Sequence, residues 1–416
     1  MRPWNVLLPA LLIVLPAGFL VTSQSRAQLA ECEFENDYEK MMCERQMGLE
    51  KRLDALEKIH LGGALRYNYI YRDWLEDEKK KGGTMSFELL RFDINGEIND
   101  ILISAQYRFY HYQDVIHHGW IGYNWTDEIQ TQLGVSQVPF GILPYASHSW
   151  WFGAPFYLGL EDDYDLGIKM IAAPSPFEFQ LAFYKNAEWG SPDDLARYSF
   201  DVVKDRGESN EEVNQLNGRA AYSLVRDEMR IEFGLSGQLG QLYNSESGDL
   251  GSHWAAAAHI DAYFGPLGIM LEAIRYQYDP NGPPAEDDDV VIMGAYLDSH
   301  PMAANAWVYV ANVSYEIPVD LGPVDKITFY NDYSLVVKDE KDSDRDIFED
   351  SQINTAGFLI SSGPVYTYVD FYMGRNMVWL GPDHDGGLGA GSLDDKGLLF
   401  DDDWHTRFNV NVGYYF

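Results

Sequence analysis

The last ten residues of the chain, Arg407-Phe408-Asn409-Val410-Asn411-Val412-Gly413-Tyr414-Tyr415-Phe416, are the stretch that decides the fold. Successive side chains of an extended strand point to opposite faces. One face therefore carries only apolar residues, which are Phe408, Val410, Val412, Tyr414 and Phe416. The other face carries Arg407, Asn409, Asn411 and Gly413. The alternation predicts a strand with one apolar and one polar face, with an aromatic residue as its last member.

This strand resembles the closing strand of bacterial outer-membrane β-barrels. The resemblance implies that Phe416 is part of a signal for the barrel-insertion machinery. A soluble β-sandwich can also end on an amphipathic strand, so the remaining strands have to decide between the two.

Alternation recurs along the chain from Leu61 onward, in segments of roughly ten residues. Such segments include residues 65–71, 101–110, 129–136, 177–184 and 229–236. The connections between segments are of two kinds. Short turns are predicted at residues 99–100, 126–127, 174–176, 226–227, 265–266 and 362–364. Long polar stretches are predicted at residues 73–84, 138–163, 185–213, 244–251, 280–305, 338–350 and 375–403.

Short turns on one rim and long loops on the other are typical of outer-membrane barrels. Counting the segments gives about sixteen strands, an even number that returns the chain end to the short-turn, periplasmic rim. Residues 290–305 are assigned to a loop, because one further strand would place the chain end on the other side. We therefore predict an all-β fold, a 16-stranded antiparallel transmembrane β-barrel over residues 61–416. A barrel of this size leaves an aqueous channel.

Composition agrees with this class and excludes others. The chain has 30 Lys and Arg against 65 Asp and Glu, so nucleic acid is not an expected partner. It has 28 Tyr, 21 Phe and 11 Trp, yet no apolar run after the first thirty residues reaches the roughly 20 residues of a spanning helix. No nucleophile motif accompanies the clustered residues His117, His118, His148 and Ser149, so we expect neither an enzyme nor a cofactor.

The first sixty residues carry two other signals. Residues 1–27 have the basic and then apolar layout of a secretory signal peptide, which predicts export. Residues 28–60 predict a short periplasmic amphipathic helix or coiled coil that needs partner copies or the barrel for stability. Cys32 and Cys43 lie about 16 Å apart on one straight helix and cannot pair there. They can close a local loop or link subunits, and the sequence does not decide whether they form a disulfide.

Two stretches, Gly134-Val135-Ser136-Gln137-Val138-Pro139-Phe140-Gly141 and residues 157–167 (YLGLEDDYDLG), resemble the phosphate-selective porins O and P and their carboxylate-porin relatives. Leu61-Gly62-Gly63 before the first strand fits the same family. The resemblance implies a homotrimer of 16-stranded barrels, each narrowed by an inserted loop. On this chain that loop corresponds to residues 138–163.

Inward-facing bases are the candidates for pore selectivity, and they are Arg66, Arg108, Lys169, Arg219, Arg230 and Arg407. Arg108 and Lys169 flank the predicted constriction and favour a weak anion preference. Acidic residues Glu178, Glu232 and Asp261 are also predicted to face inward, so the bases can instead pair with them and brace the wall. Because the charges are mixed, phosphate specificity is not transferred from the family.

The inserted loop also contains aromatic residues, among them Trp150, Trp151 and Tyr157. They can stack on sugar faces or wedge the loop against the wall. Glu161, Asp162, Asp163 and Asp165 are weak candidates for a Ca²⁺ site. Their spacing does not match an EF-hand, so the sequence favours a solvated acidic corner over the metal site.

Function follows from the predicted architecture. We expect an outer-membrane porin through which small hydrophilic solutes diffuse, including ions and anionic or carboxylate nutrients. The alternatives are a carbohydrate-selective channel, or an adhesin or receptor that acts through acidic extracellular loops. The acidic runs 286–289, 338–350 and 401–403 can also bind cations that bridge lipopolysaccharide, an expected partner together with membrane lipids.

Overall fold

A computed structural model describes residues 58–98, 100–283, 286, 289–339, 350–381 and 403–416. Sixteen antiparallel strands form a closed barrel, which confirms the predicted fold class. Three further strands form a separate small sheet. Within the described ranges, no helix combines the length and the apolar character needed to span a membrane.

The elements follow in chain order. They are β1 (Ile59–Arg72), α1 (Glu76–Lys81), β2 (Thr84–Ile98), β3 (Ile101–Tyr110), β4 (Asp114–Thr126), β5 (Ile129–Gln137), α2 (Ala154–Tyr157), β6 (Tyr164–Ala172), β7 (Phe177–Ala187), β8 (Asp201–Val202), β9 (Asn210–Arg226), β10 (Met229–Asn244), β11 (Leu250–Phe264), β12 (Leu267–Asp279), β13 (Val290–Ala295), β14 (Asp298–Ala303), β15 (Asn305–Leu321), β16 (Val324–Lys338), β17 (Ser351–Ser362), β18 (Val365–Arg375) and β19 (His405–Tyr415). Strands β8, β13 and β14 form the separate sheet, here called the inner sheet, and the other sixteen form the wall.

The last strand closes the barrel. β19 pairs with β18 on one side and with β1 on the other, with Tyr67 opposite Val412. The final residue completes the seam, because Gly63 N donates to Phe416 O at 2.9 Å and Phe416 N donates to Gly63 O at 3.1 Å. The polar face of β19 is buried inside the barrel, whereas Tyr414 and Phe416 are exposed on its outer surface. The alternation predicted for this strand is confirmed.

The outer surface of the wall is apolar. Phe177, Leu235, Trp307 and Phe371 are examples from four strands, and each is more than 40% exposed. Along each of these strands, the side chains at the alternate positions point inward and are mostly polar. An apolar exterior around a polar interior is the arrangement of a barrel whose outer face contacts lipid.

Several boundaries differ from the sequence expectation. β1 begins at Ile59, two residues before the predicted start at Leu61. The connection between β3 and β4 is only residues 111–113, too short to register as one of the long polar stretches. Residues 290–305, assigned to a loop, do contain strands, because β13 and β14 pair with each other from Val290↔Ala303 to Ala295↔Asp298. They belong to the inner sheet and are not part of the wall, so the wall count stays at sixteen.

Some expectations fall on residues that lie outside the described ranges. These are the signal peptide 1–27, nearly all of the helix 28–60, Cys32 and Cys43, and most of the acidic runs 286–289, 338–350 and 401–403. They remain predictions.

Candidate functional site

Residues 138–163, which join β5 to β6, fold into the interior of the barrel and are called the inserted loop. Most of their side chains are buried. The loop is held mainly through its backbone, by polar side chains that project inward from five wall strands. Gly141 N donates to Ser236 Oγ at 3.0 Å, Arg219 Nε to Gly141 O at 2.8 Å, Asn312 Nδ2 to Ala146 O, His148 N and Ser149 N to Asp332 Oδ2 at 2.7 Å each, Trp150 N to Asp370 Oδ2 at 3.3 Å and Ala154 N to Ser334 Oγ at 2.8 Å.

The inserted loop packs against the inner sheet through aromatic side chains. Phe156 lies 5.5 Å from Phe200 between ring centroids, and Tyr157 lies 5.7 Å from Phe200. Trp379, from the segment after β18, closes the cluster at 5.1 Å from Tyr157. Phe156, Phe200 and Tyr157 are each at most 4% exposed, so this part of the interior is a hydrophobic core rather than open channel.

A cavity of about 930 Å³ remains between the inserted loop and the arc of wall formed by β1–β4, β18 and β19. Its charged lining is predominantly basic. Five arginines line it, against three carboxyl groups. They are Arg66, Arg72, Arg91, Arg108 and Arg407, against Glu78, Glu88 and Asp162. We call this space the basic cavity.

Three of the five arginines have a carboxylate partner. Arg66 Nη2 lies 3.1 Å from Glu88 Oε1, and Arg91 Nη2 lies 2.7 Å from Asp93 Oδ2. Arg72 binds the carboxylate of Glu78, which belongs to α1. These pairs fix the position of the guanidinium groups and offset part of their charge.

Arg108 and Arg407 differ, because neither has a carboxylate partner among the residues that the structure describes. Arg108 donates to Gln106 Oε1 at 2.6 Å and to the Tyr110 hydroxyl at 3.3 Å, and it stacks 4.4 Å from the Tyr198 ring centroid. Arg407 stacks 3.8 Å from the ring centroid of Trp151, and its Nε and Nη1 atoms have no hydrogen-bond acceptor. A buried charged donor without an acceptor costs more than the roughly 1–3 kcal/mol of a neutral one. These groups are therefore suited to an anion that enters the cavity.

The predicted aromatic candidates are occupied by protein contacts. The guanidinium group of Arg66 stacks 4.3 Å from the ring centroid of Trp150, and that ring lies 5.6 Å between centroids from Tyr368 of β18. Trp151, on which Arg407 stacks, lies 5.7 Å between ring centroids from Tyr372 of the same strand. Tyr157 donates its hydroxyl to Trp151 O at 2.6 Å. All three line the basic cavity, and each tryptophan of the loop contacts an arginine and a tyrosine of the wall.

The structure places the remaining predicted bases elsewhere. Lys169 is buried and donates to Gln137 O at 2.8 Å. Arg219 binds the carboxylates of Glu178, at 2.8 Å, and Glu232 in addition to the inserted loop. Arg230 lies 2.9 Å from Asp261. None of the three lines the basic cavity. All three make contacts that brace the wall, and Arg219 also holds the inserted loop.

The four predicted acidic candidates separate into two groups. Glu161 accepts from Ala146 N at 2.8 Å and from Ser147 Oγ at 2.9 Å, and burial raises the pKa of its carboxyl to about 8. Asp162 accepts from the Tyr198 hydroxyl at 2.5 Å, and burial raises its pKa to about 6. Glu161 therefore braces the loop internally, whereas Asp162 ties the loop to the segment that precedes β8. Asp163 and Asp165 lie together with Asp201 of β8 instead.

Sequence reasoning missed some lining residues. Arg72 lies on the same face of β1 as Arg66, so the alternation that identified Arg66 could have found it. Tyr198 and Tyr296 come from the connections around the inner sheet, and no sequence pattern pointed to them.

Fold and interior together define a closed 16-stranded β-barrel with a loop folded into its interior, an architecture that outer-membrane porins share. Solved structures with this fold include the outer membrane channel DcaP of Acinetobacter baumannii (12% identity, TM-score 0.53, covering 86% of this chain and 97% of that one). The anion-selective porin from Comamonas acidovorans is similar at 13% identity and a TM-score of 0.51, covering 86% and 99%. The trimer form of in-vitro folded OmpT, an outer membrane protein of Vibrio cholerae, is similar at 14% identity and a TM-score of 0.52, also covering 86% and 99%. No family profile and no curated protein sequence matches the chain. The structural likeness extends to porins in general and does not single out the phosphate-selective porins O and P.

Proposed function

We propose that this protein is an outer-membrane channel through which small hydrophilic solutes diffuse passively, with a preference for anions and small carboxylates. The observation that carries the proposal is the pair of buried arginines without a carboxylate partner, Arg108 and Arg407, on the basic cavity. The inserted loop narrows the interior and leaves this cavity beside it.

The chemistry of the guanidinium group explains why anions should be preferred over cations. Arg presents N–H groups in a planar fork that matches a carboxylate or phosphate, and it stays charged at every physiological pH. Stacking on Trp151 and Tyr198 holds the two guanidinium groups in place without neutralising them. A passing anion can exchange water for these donors, whereas a cation is repelled.

The charged lining of the cavity is mixed, and this limits the proposed specificity. Glu88, Glu78 and Asp93 pair with three of the five arginines, so the cavity holds no contiguous row of unpaired bases such as phosphate selectivity would require. We propose modest discrimination by charge, with no single preferred solute.

We further propose that the channel is a homotrimer in the outer membrane, in contact with lipopolysaccharide and lipid. Support comes from the apolar outer wall and from the fold shared with a barrel solved in a trimer form. Electrophoresis without heating tests the oligomer: a band at three times the monomer mass that collapses on boiling is expected, and a monomeric folded band contradicts the trimer.

Single-channel recording in a planar bilayer tests the proposed channel. We expect stepwise openings, in groups of three for a trimer, and a reversal potential in a KCl gradient whose sign reports chloride as the more permeant ion. A potential of cation sign would refute the anion preference. Folded, heat-modifiable protein that gives no conductance would refute the channel itself.

A further inference from the structure

A buried cluster of carboxyl groups lies where the inserted loop ends. Asp163 is the last residue of that loop, Asp165 is the second residue of β6, and Asp201 opens β8 of the inner sheet. One carboxylate oxygen from each lies within 4.8 Å of the other two. All three side chains are at most 6% exposed.

Protein donors satisfy only part of this cluster. Asp201 Oδ2 accepts from Arg197 Nη1 at 3.3 Å, and Asp165 Oδ2 accepts from Gln215 Nε2 at 3.0 Å. The Oδ1 atoms of Asp163, Asp165 and Asp201 accept no hydrogen bond.

A second observation, from outside the three aspartates, points to a ligand. Gln215 of β9 is 3% exposed, and the amide that donates to Asp165 leaves its own carbonyl oxygen, Oε1, without a partner. An amide carbonyl beside carboxylates adds a neutral oxygen ligand of the kind that calcium sites use.

The charge balance is also incomplete. Glu188 joins the cluster through Arg197, whose Nη1 lies 4.0 Å from Glu188 Oε2 and also binds Asp201. Glu212 adds a fifth acidic side chain, because it interacts with Asp163, Asp165 and Asp201. One guanidinium, in contact with Asp201 and Glu188, therefore serves five acidic side chains. Buried charges that lack a counter-charge are strongly destabilising, so the arrangement calls for more positive charge than Arg197 supplies.

We propose that Asp163, Asp165 and Asp201, with the Gln215 carbonyl, form a binding site for Ca²⁺. Oxygen ligands surround Ca²⁺ at about 2.3–2.6 Å, so two ligands of one ion lie up to about 5 Å apart, which matches the spacing of the three carboxylates. Mg²⁺ retains several water molecules and demands an octahedral shell, so a buried site built from carboxylates favours the larger ion.

The ion would connect two parts of the interior. Asp163 lies at the end of the inserted loop, where its carbonyl also accepts from Val138 N at 2.8 Å and so joins the two ends of the loop. Asp201 belongs to the inner sheet, where Gly294 lies opposite it on β13. Bound Ca²⁺ would fix the base of the inserted loop to the inner sheet at the long-loop rim.

Terbium luminescence and heat-modifiability on detergent-folded protein test the site. Tb³⁺ occupies oxygen-rich calcium sites and is excited through nearby tyrosines, and Tyr164 lies between two of the ligands in sequence. After chelator treatment we expect tyrosine-excited Tb³⁺ emission that Ca²⁺ displaces with a dissociation constant below about 1 mM. We also expect Ca²⁺ to raise the temperature at which the folded band is lost, with Mg²⁺ at the same concentration having a smaller effect.

Variants separate this site from weak binding at the acidic rim. In Asp163→Asn and Asp201→Asn we expect at least a tenfold loss of Ca²⁺ affinity, and loss of the Ca²⁺-dependent thermal shift. The matched control is Glu246→Gln with Asp249→Asn, two exposed acidic residues between β10 and β11, which should keep both signals. Equal signals from wild type, control and site variants would overturn the proposal. So would a wild-type protein without a Ca²⁺-dependent shift, a result that requires no variant to fold.

Discussion

Replacing Arg407 by Gln removes one buried positive charge from the basic cavity while keeping a side chain of similar length. An anion in contact with the guanidinium lies about 4 Å from its centre, where the interaction is worth about 1 kcal/mol in water and about 4 kcal/mol at an effective dielectric constant of 20. Because the channel contains water, we expect the lower interaction energy of about 1 kcal/mol. Since 1.4 kcal/mol is a factor of ten, the anion-to-cation permeability ratio should fall about fivefold.

Reversal potentials in a KCl gradient measure this ratio directly, on protein whose folded band has first been verified by electrophoresis. Arg226→Gln is the matched control, because Arg226 is exposed at the turn between β9 and β10 and does not line the cavity. A ratio in Arg407→Gln that equals those of wild type and control would refute the reasoning that this arginine acts on permeating ions.

Three further predictions concern the loop, the wall and assembly. Asp332→Ala removes a buried acceptor of two backbone N–H groups of the inserted loop, worth about 1.5–3 kcal/mol each; we expect larger and noisier single-channel currents, and traces identical to wild type would contradict the anchoring role. Gly134→Ala should lower the urea midpoint of unfolding by the equivalent of about 1–3 kcal/mol, because its φ of 136° is strained for other residues and a Cβ would lie 2.3 Å from Gly119 O; Gly218→Ala, where a Cβ meets open space, is the control and should match wild type. Phe416→Ser keeps the main-chain seam and changes only the outward ring, so assembly in cells should decrease while folding in detergent persists; equal amounts of the variant and wild type in the outer membrane would count against Phe416 as an insertion signal.

The wall could be predicted from the sequence because its rule is local. In β19 each side chain's face follows from odd or even position alone, and the buried Asn409 and Asn411 and exposed Tyr414 agree with that rule. The same alternation predicts that Arg66, Arg108 and Arg407 face inward, and all three are buried and line the basic cavity. The connection at residues 111–113 was not predicted, because three residues between two strands produce no distinct polar stretch in the sequence.

The contents of the barrel could not be predicted in the same way. Whether an inward arginine is neutralised depends on partners far away in the sequence, as with Arg219, which meets Gly141 of the inserted loop and Glu178 of another strand. The periodicity of a single strand does not predict such contacts between residues that are distant in the sequence. Asp163 and Asp165 were visible as an acidic run, but Asp201 joins them from 36 residues further along only because the inner sheet folds back over the loop.

The anchoring of the inserted loop through its backbone has an evolutionary consequence. Asp332, Asp370 and Ser334 bind main-chain N–H groups, which every residue except proline possesses. Mutations can therefore alter the loop's side chains, and with them the solutes that the channel admits, without loosening its attachment. Descendants of this protein can diversify their permeability through the loop sequence, while the residues that hold the loop in place stay constant on the wall.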